Sequence, residues 1–247
     1  MALEVFNRRE VKYLIPFEVY EDIAERITEN MRFDKFGTDG KYNIVSLYFD
    51  SEDEKIYTET RNKLLFRQKL RLRVYDEADL TSTSFLEVKQ KFNNVVNKRR
   101  TAIPLSEAYD YIYNGADVIE SASNPQIFKE ADHFRNLYNL EPKVVVSYDR
   151  QAFHGVTESD LRVTFDYNLR CRSDDLNIEK GPHGNYFIDK DLVVMEVKMS
   201  SSIPLWLTRI LSEYGLKKEG VSKFCTSIDV ESLGMEHAIQ NSKVGQS

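Results

Sequence analysis

Polar and apolar residues alternate one by one through several stretches of the chain. In Arg67-Gln68-Lys69-Leu70-Arg71-Leu72-Arg73-Val74 every odd position is cationic, and the even ones are Gln, Leu, Leu and Val. Successive side chains of a strand point to opposite faces, so this stretch predicts a strand with one charged and one largely apolar face. The pattern recurs at Arg8/Glu10/Lys12 against Val11 and Tyr13, and at Glu87/Lys89/Lys91 against Leu86, Val88 and Phe92. It returns at Arg162/Thr164/Asp166 against Leu161, Val163 and Phe165, and at Glu196/Lys198 against Val193, Met195 and Val197.

Between these stretches the pattern changes period. A strand is predicted over Leu3 to Leu14, and Pro16 then opens an amphipathic helix to about Asn30, with Val19, Ile23, Ile27 and Met31 on one face. A strand follows at Asn43–Asp50, a short acidic helix and loop at Ser51–Asn62, and an antiparallel meander at Phe66–Tyr75, Thr83–Phe92 and Val95–Ile103. A helical insert runs from Ser106 to about Leu140, interrupted near Gly115 and Asn124-Pro125. Strands resume at Lys143–Phe153, Asp160–Leu169 and Asp191–Met199. Two helices close the chain. The first has Ser202 as candidate N-cap, Pro204 in its first turn and Gly215 just past its end; the second starts near Ser222. With no repeat or long linker, the expectation is one domain over residues 1–239 and a loose tail from 240 to 247.

The apolar faces need cover and the charged faces need a shared space. A closed antiparallel β-barrel with helices packed outside and charge inside, an α+β fold, meets both needs. The alternative for any single strand is a solvated face with charges paired across neighbours. Like charges along one face, as at Arg67, Lys69, Arg71 and Arg73, repel unless an anion or carboxylate sits opposite.

Composition narrows the chemistry. The net charge is −6, so the whole molecule should not attract nucleic acid, yet a locally basic cleft focuses its own field. Cys171 and Cys225 form no CxxC pair, and no stretch has membrane-spanning length, so a reducing, cytoplasmic setting is expected. No P-loop spacing is present, Asp76-Glu77-Ala78-Asp79 reads as a turn, and the four histidines lie in no ligand spacing. What remains is carboxylates among many cations, the requirement of phosphoryl transfer. Glu10, Glu87, Glu196 and Asp166 are the carboxylates on the basic faces, and a hard ion such as Mn2+ or Mg2+ would take one or two of them with phosphate oxygens and water. Lys223, at a predicted helix start, suits a shared anion there.

Arg9-Glu10-Val11-Lys12-Tyr13, Ser46-Leu47-Tyr48-Phe49-Asp50, Leu70-Arg71-Leu72-Arg73, Glu87-Val88-Lys89, Met195-Glu196-Val197-Lys198 and Val221-Ser222-Lys223-Phe224 occur in that order. Together they resemble the VTC-type polyphosphate polymerase domain of the triphosphate tunnel metalloenzyme superfamily, from about Phe6 to Asp229. The resemblance implies a tunnel in which Lys12, Arg71, Arg73, Lys89, Lys98, Arg150, Arg162 and Lys223 grip phosphates and Glu196 holds Mn2+ or Mg2+. Arg8, Lys91, Arg100 and Lys198 are added as substrate-binding candidates, and Glu10 and Glu87 as further metal candidates. Only the resemblance places Arg150 in the tunnel, because it shares phase with Val144, Val146 and Tyr148. Arg8 stands where the CYTH branch of the superfamily carries the first Glu of ExExK, which favours a long polyanion over a triphosphate.

The expected reaction is transfer of the ATP γ-phosphate to a growing inorganic polyphosphate chain, with release of ADP. The alternatives are a metal-dependent tunnel triphosphatase and a non-catalytic polyphosphate-binding module. The expected partners are ATP and polyphosphate, with neither nucleic acid nor membrane insertion by this chain. Fungal members of the family carry membrane helices, which leaves room for a membrane-protein partner.

Overall fold

The computed structural model describes residues 9–93, 95–200 and 202–233. Strand β1 (Arg9–Pro16) leads into α1 (Phe17–Ile27), β2 (Met31–Phe33), β3 (Lys41–Asp50) and α2 (Lys55–Arg61). The meander is β4 (Phe66–Tyr75), β5 (Thr83–Phe92) and β6 (Val95–Pro104), followed by α3 (Leu105–Asn114) and α4 (Pro125–Leu137). The chain continues through β7 (Glu141–Gly155), β8 (Arg162–Arg172), β9 (Asn185–Tyr186), β10 (Leu192–Met199), α5 (Leu205–Glu213) and α6 (Lys223–Leu233).

All strands join one antiparallel sheet in the order β1-β10-β8-β7-β3-β4-β5-β6, with β2 added to β7 and β9 to β8. Period-two alternation gives this sheet its two faces. On the outer face, Tyr13, Ile15, Val163, Phe165, Val193, Met195 and Val197 pack under Ile23 and Ile27 of α1 and Leu207 of α5. Farther round, Val45, Leu47, Leu70, Leu72 and Val88 pack under Leu105 and Ile112 of α3 and Phe128 and Phe134 of α4. Each large apolar side chain removed from water contributes roughly 1.5–3 kcal/mol, so these two clusters hold α1, α3, α4 and α5 to the outside.

The expected closed barrel is not formed. Strands β1 and β6 end the sheet, and no ladder joins them among the described residues. Alternation fixes which face is buried but not whether the last strand meets the first. Chain segments cover the free edges instead. Glu219 donates its backbone N–H to the Lys12 carbonyl at 2.9 Å, and Ser123 does the same to Ala102 at 2.9 Å. The sheet is nevertheless strongly curled: Lys89 of β5 reaches Glu10 of β1 at 3.7 Å across the hollow.

Not every helix packs outside as expected: α6 lies on the inner face and fills one end of that hollow, because Phe224, Cys225 and Ile228 bury against the inner side chains of β3 and β7. Phe224 stacks on Tyr48 with centroids 5.3 Å apart, and Phe224, Cys225 and Ile228 share a buried cluster with Val144, Val146 and Cys171. Both cysteines are free and buried.

Most predicted elements are present within two or three residues of their expected ends, and the rest have local causes. Met31 belongs to β2 rather than α1: the helix ends at Thr28, and Met31 pairs with Gly155 while still packing beside Ile27. The N-cap position of α5 is Pro204, with no side-chain cap bond, so Ser202 does not cap it. Ser222 does cap α6, accepting the Cys225 N–H at 3.3 Å. Gly215 adopts the left-handed conformation expected after α5, φ +60°. The predicted start of β1, including Arg8, and the tail from 240 lie outside the described residues.

Candidate functional site

Antiparallel register turns the alternating strands into charged rows on the inner face. Glu10, Lys198 and Arg162 lie in one row across β1, β10 and β8, and Lys12, Glu196 and Thr164 in the next. Across β4, β5 and β6 the rows are Lys69–Lys89–Lys98 and Arg71–Glu87–Arg100, with Arg67 facing Lys91. The sequence periodicity thus becomes a cationic hollow.

Glu196 is the hub of the first wall. Its carboxylate lies 2.9 Å from Lys12, 2.7 Å from Lys198 and 3.1 Å from Lys223. Lys223, at the start of α6, also meets Asp166 at 2.6 Å, and Arg150 engages Asp166 through Nε and Nη2 at 2.6 and 2.7 Å. Burial opposes the charge on Glu196, but Lys12, Lys198 and Lys223 outweigh it and hold the carboxyl well below the usual range. Burial likewise opposes the charge on Asp166, and Arg150 and Lys223 keep it ionised. Burial and the neighbouring Glu196 work to raise Glu10, yet Lys89, Lys198 and Lys12 bring it to about 2.

The second wall centres on Glu87, which takes Arg71 at 2.6 Å and Lys98 at 2.5 Å. Arg71 also donates to the Tyr48 hydroxyl at 2.9 Å, and Arg73 to Ser46 and Tyr148 at 3.0 and 3.3 Å. Burial would raise the Tyr48 phenol, but Arg71, Arg73 and Lys69 overcome it and bring it to about 7. Burial lowers the Lys69 ammonium to about 8. Burial with Arg71 and Arg73 close by outweighs Glu87 at Lys98 and takes it to about 7.

The Asp166, Glu87 and Glu196 side chains are 0, 1 and 6% exposed, whereas Lys89 and Lys98 are 39 and 38% exposed. These three carboxylates form the floor together with the buried Arg73, Arg150 and Lys223, and the heads of Lys89 and Lys98 rise from it into solvent. The buried Thr164 hydroxyl and Arg162 Nε on this face have no hydrogen-bond partner, which marks places a polar ligand could satisfy.

The sequence-predicted residues separate accordingly. Lys12, Lys198, Lys223, Arg150, Glu10 and Glu196 share one connected network with Asp166, and Lys89 touches it through Glu10. Arg71, Arg73, Lys98 and Glu87 form the facing wall. Arg100 lies over the Phe85 ring at 4.7 Å, while Arg99 leaves the hollow to pair with Glu130 of α4. Arg162 is held by Asp34 at 2.7 Å and the Tyr42 hydroxyl at 3.2 Å. Tyr48 and Tyr148 were not singled out by periodicity, although Ser46 and Tyr48 share the alternating phase of β3.

The metal candidates do not come together as a set. Glu10 and Glu196 hold the Lys12 ammonium between them, at 3.2 and 2.9 Å, but Glu87 engages the separate pair Arg71 and Lys98. Among the described residues no group of three or more acidic, His or Cys side chains could hold an ion unaided. The donors of Glu10 and Glu196 fit a hard divalent ion that takes its remaining oxygens from phosphate and water. A surface cleft of about 880 Å³ lies elsewhere, lined by Asp50, Lys55, Tyr138, Glu141 and Lys143 among others, and contains none of these residues.

The chain matches the family model of the VTC domain over residues 7–231. It is 23% identical over 257 residues to vacuolar transporter chaperone complex subunit 4 of Trypanosoma cruzi (strain CL Brener), covering 85% of this chain and 32% of that protein. The chain therefore spans about a third of that relative's length. In three dimensions it resembles a Hippeastrum adenylyl cyclase candidate described as having a dominant triphosphatase activity. Identity is 15%, the match covers 89% of this chain and 94% of that one, and the TM-score is 0.54. An adenylate cyclase candidate from Vibrio parahaemolyticus matches at 12% identity over 88% and 94% of the two chains, with a TM-score of 0.46.

Proposed function

The chain belongs to the VTC domain family, and on that premise we propose that it is an ATP-dependent polyphosphate polymerase. The γ-phosphate of ATP passes to the end of an inorganic polyphosphate chain, and ADP leaves. The observation that carries this reading is the layered hollow: buried carboxylates hold a dense set of cations, several of which reach solvent. Such a surface neutralises two polyanions that must meet.

Transfer to a phosphate acceptor needs no general base. Glu10, Glu87, Glu196 and Asp166 are each paired with one or more cations. A terminal phosphate oxygen of the acceptor is already anionic and needs no base: it attacks the γ-phosphorus in line, the bond to the β,γ-bridging oxygen breaks, and the electron pair leaves with ADP. Lys12, Lys223 and Arg150 neutralise the transferring group, while Arg71, Arg73 and Lys98 hold phosphates on the facing wall. Glu196 with Glu10 would hold Mn2+ or Mg2+, which when bound supplies charge neutralisation at phosphate oxygens.

The reading extends to partners. The trypanosomal relative is by name a subunit of a vacuolar transporter chaperone complex, and we propose a membrane-protein partner for this chain. No helix among the described residues is long and apolar enough to cross a membrane.

Incubation of the purified protein with ATP and Mn2+ tests the assignment. Long polyphosphate accumulating with stoichiometric ADP supports it. Free phosphate as the only product makes the protein a triphosphatase, and chain binding without turnover makes it a binding module.

A further inference from the structure

Helix α2 stops abruptly and sends the chain to one end of the meander. Lys63 takes the left-handed conformation, φ +53°, and donates its N–H to the Thr60 carbonyl at 3.2 Å, while Leu64 donates to the Glu59 carbonyl at 3.1 Å. In such a helix stop, the residue in the place of Leu64 commonly folds back on an apolar side chain of the last turn. Here that turn offers Thr58 and Glu59, and Leu64 stays 47% exposed. Leu65 and Phe66 follow, 70 and 45% exposed, and Phe66 pairs with Phe92, itself 63% exposed. The Asn93 N–H donates to the Leu65 carbonyl at 2.8 Å, and the Arg67 guanidinium to that of Leu64 at 2.6 Å. The backbone of this tip is therefore fixed, with its apolar side chains held outward.

The register shows why the fold leaves these side chains uncovered. Phe66, Phe92 and Val95 form a row on the outer face, in phase with Leu70, Leu72 and Val88, which pack under α3 and α4. The polar row Gln68–Gln90–Asn97 lies between and cuts the apolar row off from that core. The opposite face of the same strand ends carries Arg67 and Lys91. No Asp or Glu occurs from Thr60 to Tyr75 or from Val88 to Ser106, in a chain of net charge −6. Arg61 is tied to Asp229 at 2.9 Å, but Lys63, Arg67 and Lys91 have no carboxylate within ion-pair distance among the described residues. An exposed apolar cluster marks a contact surface, and the charge around it selects the occupant. A second copy docked tip to tip would set like charge against like. A nucleic acid would meet the cations but leave two leucines in water. An anionic bilayer takes both, because its acyl boundary accepts the apolar side chains and its headgroups the cations.

We propose that this tip, Leu64–Phe66 with Phe92, docks the protein on the surface of an anionic lipid bilayer. Its four apolar side chains enter the boundary between headgroups and acyl chains, and Lys63, Arg67 and Lys91 lie at the level of the lipid phosphates. Each cation so placed strengthens binding roughly fivefold. The contact is only a side chain deep and needs no spanning helix, and no helix among the described residues is long and apolar enough to cross. It refines the expectation of no membrane insertion: the chain rests on one leaflet, end-on along β4 and β5. The inference stands apart from the reaction assigned to the hollow and from any membrane-protein partner.

Flotation of the whole protein with protein-free vesicles tests the site. Vesicles of phosphatidylcholine with phosphatidylserine should carry wild type, and vesicles of phosphatidylcholine alone should carry roughly tenfold less. Added salt should weaken the binding. Leu65→Ser/Phe92→Ser should lower binding to the anionic vesicles roughly tenfold, as expected for apolar side chains returned to water, and should melt with wild type because both positions are exposed. Should the double variant melt early, Leu65→Ser alone, at the most exposed position, should still bind severalfold more weakly. Lys63→Gln should cost roughly fivefold. Wild type that floats with no vesicle, or equally with neutral and anionic ones, overturns the site. So does unchanged flotation of the serine variants, which would assign vesicle binding to the hollow. A wild-type dimer in sedimentation equilibrium that the double variant dissolves gives the tip to a second copy and overturns the proposal. Duplex DNA that binds wild type and not the double variant does the same for a nucleic acid.

Discussion

Arg150 grips Asp166 through two parallel contacts, Nε to Oδ1 at 2.6 Å and Nη2 to Oδ2 at 2.7 Å, on a carboxylate with no solvent exposure. That fork fixes the guanidinium, and Lys223 shares the same acid at 2.6 Å. Asp166→Ala should leave both cations without it and cost about 3–5 kcal/mol of stability, read from urea denaturation. Arg150→Lys keeps the charge but cannot reproduce the fork. Its transfer rate should fall by more than its stability, and equal activity with wild type would remove Arg150 from the phosphate-holding set.

Glu196 is shared by three lysines. Glu196→Gln should reduce metal-dependent turnover by on the order of a hundredfold. It should also leave Lys12 and Lys223 under-neutralised, so inorganic triphosphate should raise the melting temperature of the variant more than that of wild type. Full activity in the variant would reject the role given to Glu196.

The stability of the ligand-free protein should rise from pH 7 to pH 9. Tyr48 and Lys98 are lowered to about 7 and Lys69 to about 8, whereas in the unfolded chain tyrosine and lysine titrate near 10. Across that window the unfolded chain binds more protons than the folded one, and stability then increases with pH. Urea midpoints at several pH values would show the slope. Tyr48→Phe should flatten it while costing about 1 kcal/mol through the lost Arg71 hydrogen bond. A stability maximum at pH 7 would contradict the assignment.

Acid should act in the opposite part of the scale. Burial is outweighed by neighbouring cations at Glu10, Glu87 and Glu196, whose folded pKa values lie below the usual carboxylate value, with Glu10 at about 2. Their stabilisation is present above about pH 4.5 and is lost as pH falls toward 2. A midpoint of acid unfolding that moves down on adding salt, rather than up, would count against these ion pairs as its cause.

Cys171 and Cys225 should resist thiol reagents in the native state. Both are free and buried, and burial together with the nearby Glu231 pushes the Cys171 thiol up. Labelling at the rate of global unfolding is expected; rapid labelling under native conditions would show that α6 leaves its seat.

Alternation read the inner face well where that face is uniform. Lys12, Lys89, Arg71, Arg73 and Glu196 were legible because each strand there is charged inside and apolar outside. It failed on β7 because the inner face of that strand serves two purposes. Val144 and Val146 pack with Phe224 and Cys225 of α6, whereas Tyr148 and Arg150, in the same phase, line the charged hollow. A local pattern cannot report that a distant helix covers half a strand. The Ser222 cap and Lys223 were visible as a helix start, but not the turn of Lys223 toward Asp166 and Glu196. The short strands β2 and β9 gave too few residues for any period. Closure was over-read for a related reason: strand patterns carry no information about whether the two outermost strands meet.

The missing ladder between β1 and β6 bears on girth. In a closed barrel, strand number and stagger fix the bore. Here β1 meets β5, the strand next to the far end of the sheet, through side-chain charge between Glu10 and Lys89, and covering segments lie along the free edges. The bore is therefore a property of curvature, and it can widen by degrees without breaking a backbone ladder.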